Sequence, residues 1–265
     1  RWGAESILIG GSRTFGTNGP GSATVKVVTS SITVDNAGAP LTGPEIILAA
    51  TRSLTLAPGS QIEQQGSLGG EADFLFFGDP AVPGSGNGTM LRVSSDETTE
   101  IHRFGVTQPG EPVMTIGSGA SIKGASIILD STHATSLDAN ASILGDAISL
   151  HSGQISIQLD NPGELRPTVG LVLSGSVLEG LRSAKSLSLL SYSSIDIYGT
   201  GEFSTRNSLV MHAGEIRGFN TNGGAAVFSS GEIKLDNIAG AASAGPVVPM
   251  SGSPAFPGDH LRLQG

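Results

Sequence analysis

Cysteine is absent from all 265 residues, so the chain forms no disulfide and no thiolate metal site. In a protein of this size that absence suits a fold stabilised by repetition, not by covalent staples. Charge is also scarce: charged residues make up 14%, against roughly 25% in ordinary globular domains. With 14 Lys and Arg against 23 Asp and Glu, net −9, there is too little basic surface to track phosphates, and nucleic acid is not an expected partner. No apolar run is long enough to span a bilayer as a helix. The opening RWGAESILIGG has neither Met nor a basic-then-apolar leader, so the chain reads as a piece processed or excised from something longer.

What the sequence does have is 39 glycines, many Ser and Thr, and plentiful Ile, Leu and Val. Gly, Ser and Thr disfavour helix interiors, while the aliphatic content is too high for a disordered chain. The apolar residues come in short alternating bursts, the period-two signature of strands. Examples are Val25 and Val27, Ile32 and Val34, Leu54 and Leu56, Ile155, Ile157 and Leu159, Leu187 and Leu189, Ile195 and Ile197, and Ile233 and Leu235. No long helical stripe is present. The nearest stretch, GLVLSGSVLEGLRSAKSL, is expected to form strands because of its glycines and alternation.

A second periodicity lies above the first. Residues 120–140 and 141–161 align without a gap, placing Ile122 on Ile143, Gly124 on Gly145, Ile127 on Ile148 and Leu129 on Leu150. A related phrase recurs as SLTLAPGSQI, AISLHSGQI, SLSLLSYSSI and SLVMHAGEI. Repeats of this length with short strands mark a solenoid. The expected fold is all-β, a right-handed parallel β-helix (β-solenoid) of about 20–21 residues per turn. It would have roughly nine to eleven turns and extend about 45–50 Å at the strand spacing. The matched aliphatic residues would form inward ladders. Gly124 and Gly145 would sit at a corner whose positive φ suits only a residue without Cβ. Residues 1–265 are expected to be a single segment of a longer coil, with uncapped ends able to stack end to end.

Three stretches break the rhythm: 66–89, 103–112 and 239–260. Solenoids absorb insertions as loops, where binding residues concentrate. The first carries Phe74, Phe76 and Phe77, either a small satellite core or an aromatic recognition patch. It also carries Glu71, Asp73 and Asp79, a weak candidate for a cation. The densest polar run, SSDETTEIHR, holds Asp96, Glu97, Glu100, His102 and Arg103 and reads as a solvated strand and turn with loosely paired charges. His151 and His212 fall at one place in their phrases, read as a solvent-facing turn position. Asp130, Asp138, Asp146 and Asp160 are out of phase with the period, so a converging pair of catalytic carboxylates is not expected. No catalytic residue, resident metal or cofactor is therefore assigned.

The phrases SLTLAPGSQIEQQG, SLVMHAGEIRG and GEIKLDNIAGAA, in a cysteine-free and Gly/Ser-rich chain, resemble the repeat region of the filamentous haemagglutinin family. That family consists of exoproteins exported through a dedicated outer-membrane partner, the two-partner secretion route. The Asn-Pro-Asn signature of its amino-terminal secretion domain is not matched, since the only Asn-Pro is Asn161-Pro162. The resemblance implies an extracellular, cell-surface, non-enzymatic shaft of an adhesin or filament from a Gram-negative bacterium. Its partners would be the secretion partner and a host, bacterial or matrix surface of glycan or protein. The alternatives are a polysaccharide lyase or hydrolase on the same fold, or an autotransporter passenger or toxin stalk. The enzyme alternative lacks the NTD, DD and GHG motifs that β-helical pectinases resemble one another in.

Overall fold

A computed structural model describes residues 6–69, 72–107, 111–160, 170–219, 223–237 and 260–264. Among these residues there are 25 strands and one short helix, Gly175–Leu181, so the chain is all-β. No helix among them is long and apolar enough to cross a membrane.

The largest sheet runs, in order, through Ile7–Ile9, Glu45–Ala50, Thr89–Ser94, Ser121–Ser131, Ser142–Ser152, Ser186–Ser191, Ser208–His212 and Glu232–Asp236. Two short strands, Leu41–Gly43 and Gln61–Gln64, extend it beside Ser121–Ser131. A second sheet joins Ser31–Val34, Ser53–Leu56, Val113–Ile116 and Ala134–Leu137. A third joins Leu171–Leu173, Ile155–Gln158, Ser194–Tyr198 and Glu215–Phe219, and a fourth Gly201–Ser204, Ala225–Ser229 and His260–Gln264. Many strands pair with a strand of an earlier pass through the same sheet, as Val113–Ile116 does with Ser53–Leu56 and Glu215–Phe219 with Ser194–Tyr198.

The duplicated stretch pairs in parallel with itself. Ile122 is the partner of Ile143, Gly124 of Gly145, Ile127 of Ile148 and Leu129 of Leu150, position for position as 120–140 aligns with 141–161. Ile195 and Ile216 are partners in the same way, as are Leu187 and Leu209. Elsewhere the partner lies much further along the chain: Ser53 pairs with Val113 across the first two irregular stretches, and Ala147 with Ser186 across strands Ile155–Gln158 and Leu171–Leu173 and the helix Gly175–Leu181. Period-two alternation turns every second residue inward, and these residues form one continuous aliphatic core that includes Leu48, Leu91, Ile127, Ile148, Leu187 and Leu209. Burying a Leu or Ile side chain in such a core stabilises by roughly 1.5–3 kcal/mol.

Four features depart from the sequence expectation. First, neither Gly124 nor Gly145 has a positive φ. Both are required by close packing instead. A Cβ on Gly124 would lie 2.6 Å from Val93 Cγ1 and 3.0 Å from Gln64 Cβ, and one on Gly145 would lie 3.1 Å from the Gly124 carbonyl oxygen and from Ile127 Cδ1. Second, the stretch expected to be all strand contains the helix Gly175–Leu181, because Leu178 and Leu181 recur at helical spacing and are buried. Third, Thr89–Ser94 runs antiparallel between Glu45–Ala50 and Ser121–Ser131, so the ladder is not parallel throughout.

The fourth departure is a separate side sheet, in the order Glu100–Arg103, Phe74–Phe77, Ser22–Val27 and Gly11–Phe15. Phe74–Phe77 comes from the irregular stretch 66–89, and Glu100–Arg103 ends where the stretch 103–112 begins. Residues 239–259 of the third irregular stretch lie outside the described residues. The side sheet lies over the outer face of the long sheet. A second apolar cluster forms between the two, with Ala23, Val25, Leu75 and Phe77 from one and Ile47, Ala49, Met90 and Ile128 from the other. Both faces of Glu45–Ala50 and Thr89–Ser94 are therefore covered, and every residue in these two strands is buried.

Candidate functional site

Beyond strand Glu100–Arg103, at one edge of the side sheet, the outer face of the long sheet is not covered by it. A cleft of about 610 Å³ opens there. Residues 97–106 form one wall, and outward-facing residues of five long-sheet strands form the floor, among them Ile128, Ser149, Ser188, Val210 and Lys234. Buried polar side chains gather where wall meets floor.

The cluster follows from register. Asp130, His151, Leu190, His212 and Asp236 are successive Cα partners on five adjacent strands, so they form a single outward rung. Asp130 is completely buried. Arg103 reaches down from the side sheet to place Nε 2.6 Å from Asp130 Oδ2, and donates Nη1 to the Gly86 carbonyl at 2.7 Å. Its guanidinium lies over the Phe77 ring, 4.8 Å from the centroid. Tyr192 donates its hydroxyl to Asp130 Oδ1 at 3.0 Å. At the far end of the rung His212 Nδ1 and Asp236 Oδ1 are hydrogen bonded.

Burial penalises an unpaired charge, and that sets each ionisation. For Arg103, burial alone would lower the pKa, but the Asp130 carboxylate outweighs it and the net direction is upward. Burial pushes the Tyr192 phenol well above its usual value, and the Asp130 charge adds to the shift. His151 Nδ1 is buried without a hydrogen bond, 3.8 Å from Asp130 Oδ1. At that distance, and with Asp130 already taken by Arg103 and Tyr192, the carboxylate does not charge the imidazole. Burial brings the His151 pKa down to about 4, with the Arg103 and His212 charges adding to the fall and Asp130 opposing it. The site therefore holds a buried Arg–Asp pair beside a neutral histidine.

This rung does not provide the two carboxylates of an inverting glycosidase. Asp130 and Asp236 are four strand spacings apart, roughly 19 Å, whereas that chemistry needs about 6.5–9.5 Å. The other aspartates that the sequence raised are scattered. Asp138 accepts from the Asn140 backbone at 2.9 Å, Asp146 pairs with Lys185 Nζ at 2.6 Å, and Asp160 accepts from the Thr200 backbone at 2.8 Å.

The polar run 94–103 is not a loosely solvated turn. Arg103 is buried as described, and Asp96 accepts from Arg92 Nη2 at 3.3 Å. Arg92 is itself buried and pairs with Glu45 at 2.8 Å, while Arg13 reaches the same carboxylate at 2.7 Å. Burial raises the Glu45 pKa, but Arg92, Ser6 and Arg13 together bring it below the usual carboxylate value. His151 and His212 also depart from expectation: both lie on strands, largely buried, and Leu190 separates them.

The three phenylalanines divide between two faces. Phe74 and Phe76 point away from the long sheet and join His102 and Phe104, with Phe76 stacked on His102 at 5.2 Å and on Phe104 at 5.6 Å. Phe77 points the other way, into the inter-sheet core. Asp73 and Asp79 flank opposite ends of strand Phe74–Phe77, so they do not form one ion site, and Glu71 lies outside the described residues. Among the described residues no three His, Asp or Glu come together as metal ligands.

The sequence reading missed Tyr192 and the pairing of Asp130 with Arg103. The one signal available was the repeat offset that puts Asp130 beside His151. Comparison with protein-family models, curated proteins and solved structures gave no match to this chain.

Proposed function

We propose that the chain is a stretch of right-handed parallel β-solenoid. In this reading it is the structural and adhesive shaft of a secreted bacterial surface exoprotein resembling the filamentous haemagglutinins, exported through an outer-membrane partner. The observation that carries this reading is the in-register parallel stacking of like residues from successive repeats, Ile122 on Ile143 and Ile127 on Ile148. Such stacking builds length at about 4.8 Å per turn and spreads a regular surface, which is what a shaft requires. The low charge and the absence of cysteine in the chain agree with it.

Two measurements test this function. Small-angle scattering is expected to give an elongated particle, and beads coated with the protein are expected to bind epithelial cells or matrix-coated plates saturably, with competition by free protein. A compact scattering profile together with release of reducing ends from acidic polysaccharides would replace the shaft with an enzyme.

A further inference from the structure

We propose that the cleft is a docking site for an extended segment of another polypeptide, which adds to strand Glu100–Arg103 as a fifth strand of the side sheet. This goes beyond the shaft reading and does not depend on it.

Among the described residues, strand Glu100–Arg103 is the edge of the side sheet and pairs in parallel with Phe74–Phe77 on one side only. The Glu100 and Phe104 amides donate to Asp73 and Phe77, at 2.8 Å each. In a parallel pair alternate residues direct their N–H and C=O groups to opposite sides. Those of Ile101 and Arg103 therefore face away from the pairing, toward the cleft that both residues line. Arg103 has a side chain only 3% exposed, yet the residue as a whole is half-buried, so its accessible surface is main chain. An open row of main-chain donors and acceptors is a template for another strand.

The cleft floor continues the interface already made by the side sheet. Under its existing strands the long sheet presents Ile47, Ala49, Met90 and Ile128. On the next strands the outward positions are Ser149 and His151, then Ser188 and Leu190, then Val210 and His212, then Lys234, all lining the cleft. Ser149, Ser188 and Val210 are small and leave room for the downward side chains of one more strand. The wall adds a preference, because Glu97 and Glu100 are exposed beside the cleft. Opposite charges on neighbouring strands attract. The fitting segment is thus proline-free and extended, with small β-branched residues facing the floor and basic residues alternating on the outer side.

The probe is a fluorescein-labelled heptapeptide amide alternating lysine and valine, titrated into the full chain by anisotropy. Saturable binding is expected in the high-micromolar range. Two isomers, N-methylated at every valine or at every lysine, block opposite main-chain edges. One of them is expected to bind at least tenfold more weakly and the other about as well as the parent. Ile101→Pro removes an N–H that faces the cleft and not the existing pairing, and is expected to cost at least tenfold. Because Ile101 also packs against the inter-sheet core, Ser188→Trp provides a second block, filling the floor without touching the side sheet. It too is expected to abolish binding while the circular dichroism spectrum is unchanged. Failure to bind at millimolar peptide, equal binding by both isomers, or full binding by Ser188→Trp would each overturn the proposal. So would a concentration-dependent dimer lost in Ile101→Pro, which would make a second copy the occupant.

Discussion

Replacing Asp130 by leucine should be among the costliest single changes in the chain. The carboxylate is completely buried and holds Arg103 Nε at 2.6 Å and the Tyr192 hydroxyl at 3.0 Å. Without it, a guanidinium whose side chain is 3% exposed keeps the Gly86 carbonyl and the Phe77 ring but loses its paired carboxylate. Breaking a buried pair from one side costs roughly 3–5 kcal/mol, because the remaining charge is left uncompensated. The orphaned Tyr192 hydroxyl adds about 1–3 kcal/mol. Removing the charge as well, in Asp130→Leu/Arg103→Met, should restore at least half of the loss, and adding Tyr192→Phe should bring stability near that of the parent. Urea unfolding followed by circular dichroism measures each variant. The reasoning fails if the single change costs under about 1 kcal/mol, or if the double variant is no more stable than the single one.

Two further predictions rest on different parts of the fold. Gly124→Ala should cost about 1–3 kcal/mol by overpacking, and Val93→Ala should relieve part of it, since Val93 Cγ1 lies 2.6 Å from where the new Cβ would be. Strictly additive costs in that double-mutant cycle would show that the glycine is needed for another reason. His151 should make the fold acid-sensitive. Its folded pKa, about 4, lies below its ordinary 6.5, so the unfolded chain binds the extra proton first. Stability from this residue is full above pH 6.5 and falls as pH drops toward 4, by on the order of 3 kcal/mol. His151→Leu should flatten the difference in urea midpoint between pH 7 and pH 4.5. An unchanged slope would mean the ring is not buried neutral.

How much of this was legible in the sequence depends on the range of the interaction. The stacking of 120–140 on 141–161 could be read directly, because an in-register parallel ladder needs only equal spacing and a shared inward pattern. The side sheet could not. Its strands come from 11–15, 22–27, 74–77 and 100–103, and nothing local says that they meet or that they reverse the direction of Thr89–Ser94. The division of FLFF between two faces was implicit in the strand period: residues 74 and 76 share one side, and 75 and 77 the other. The Arg103–Asp130–Tyr192 cluster was hidden for a different reason. Its members stand 27 and 62 residues apart, and a charged run such as SSDETTEIHR reads as solvated until the sheet beneath it is known. The repeat pairs the two glycines in register, but they lie within strands Ser121–Ser131 and Ser142–Ser152 and not at the expected corner, and sequence alone does not distinguish a glycine needed for φ from one needed for space.

Residues 120–140 and 141–161 lie in register, and the absence of cysteine gives a clean background for testing this. Lys123 and Leu144 are Cα partners and both are exposed. Neighbouring strands lie about 4.8 Å apart, within the roughly 4.4–6.8 Å that a disulfide spans between Cα atoms. Lys123→Cys/Leu144→Cys should therefore close an intramolecular disulfide under mild oxidant, seen by gel mobility and peptide mass. Lys123→Cys/Asp146→Cys, displaced along the strand, should remain largely reduced. Cross-linking of the displaced pair in preference to the in-register pair would contradict the stacked-coil account.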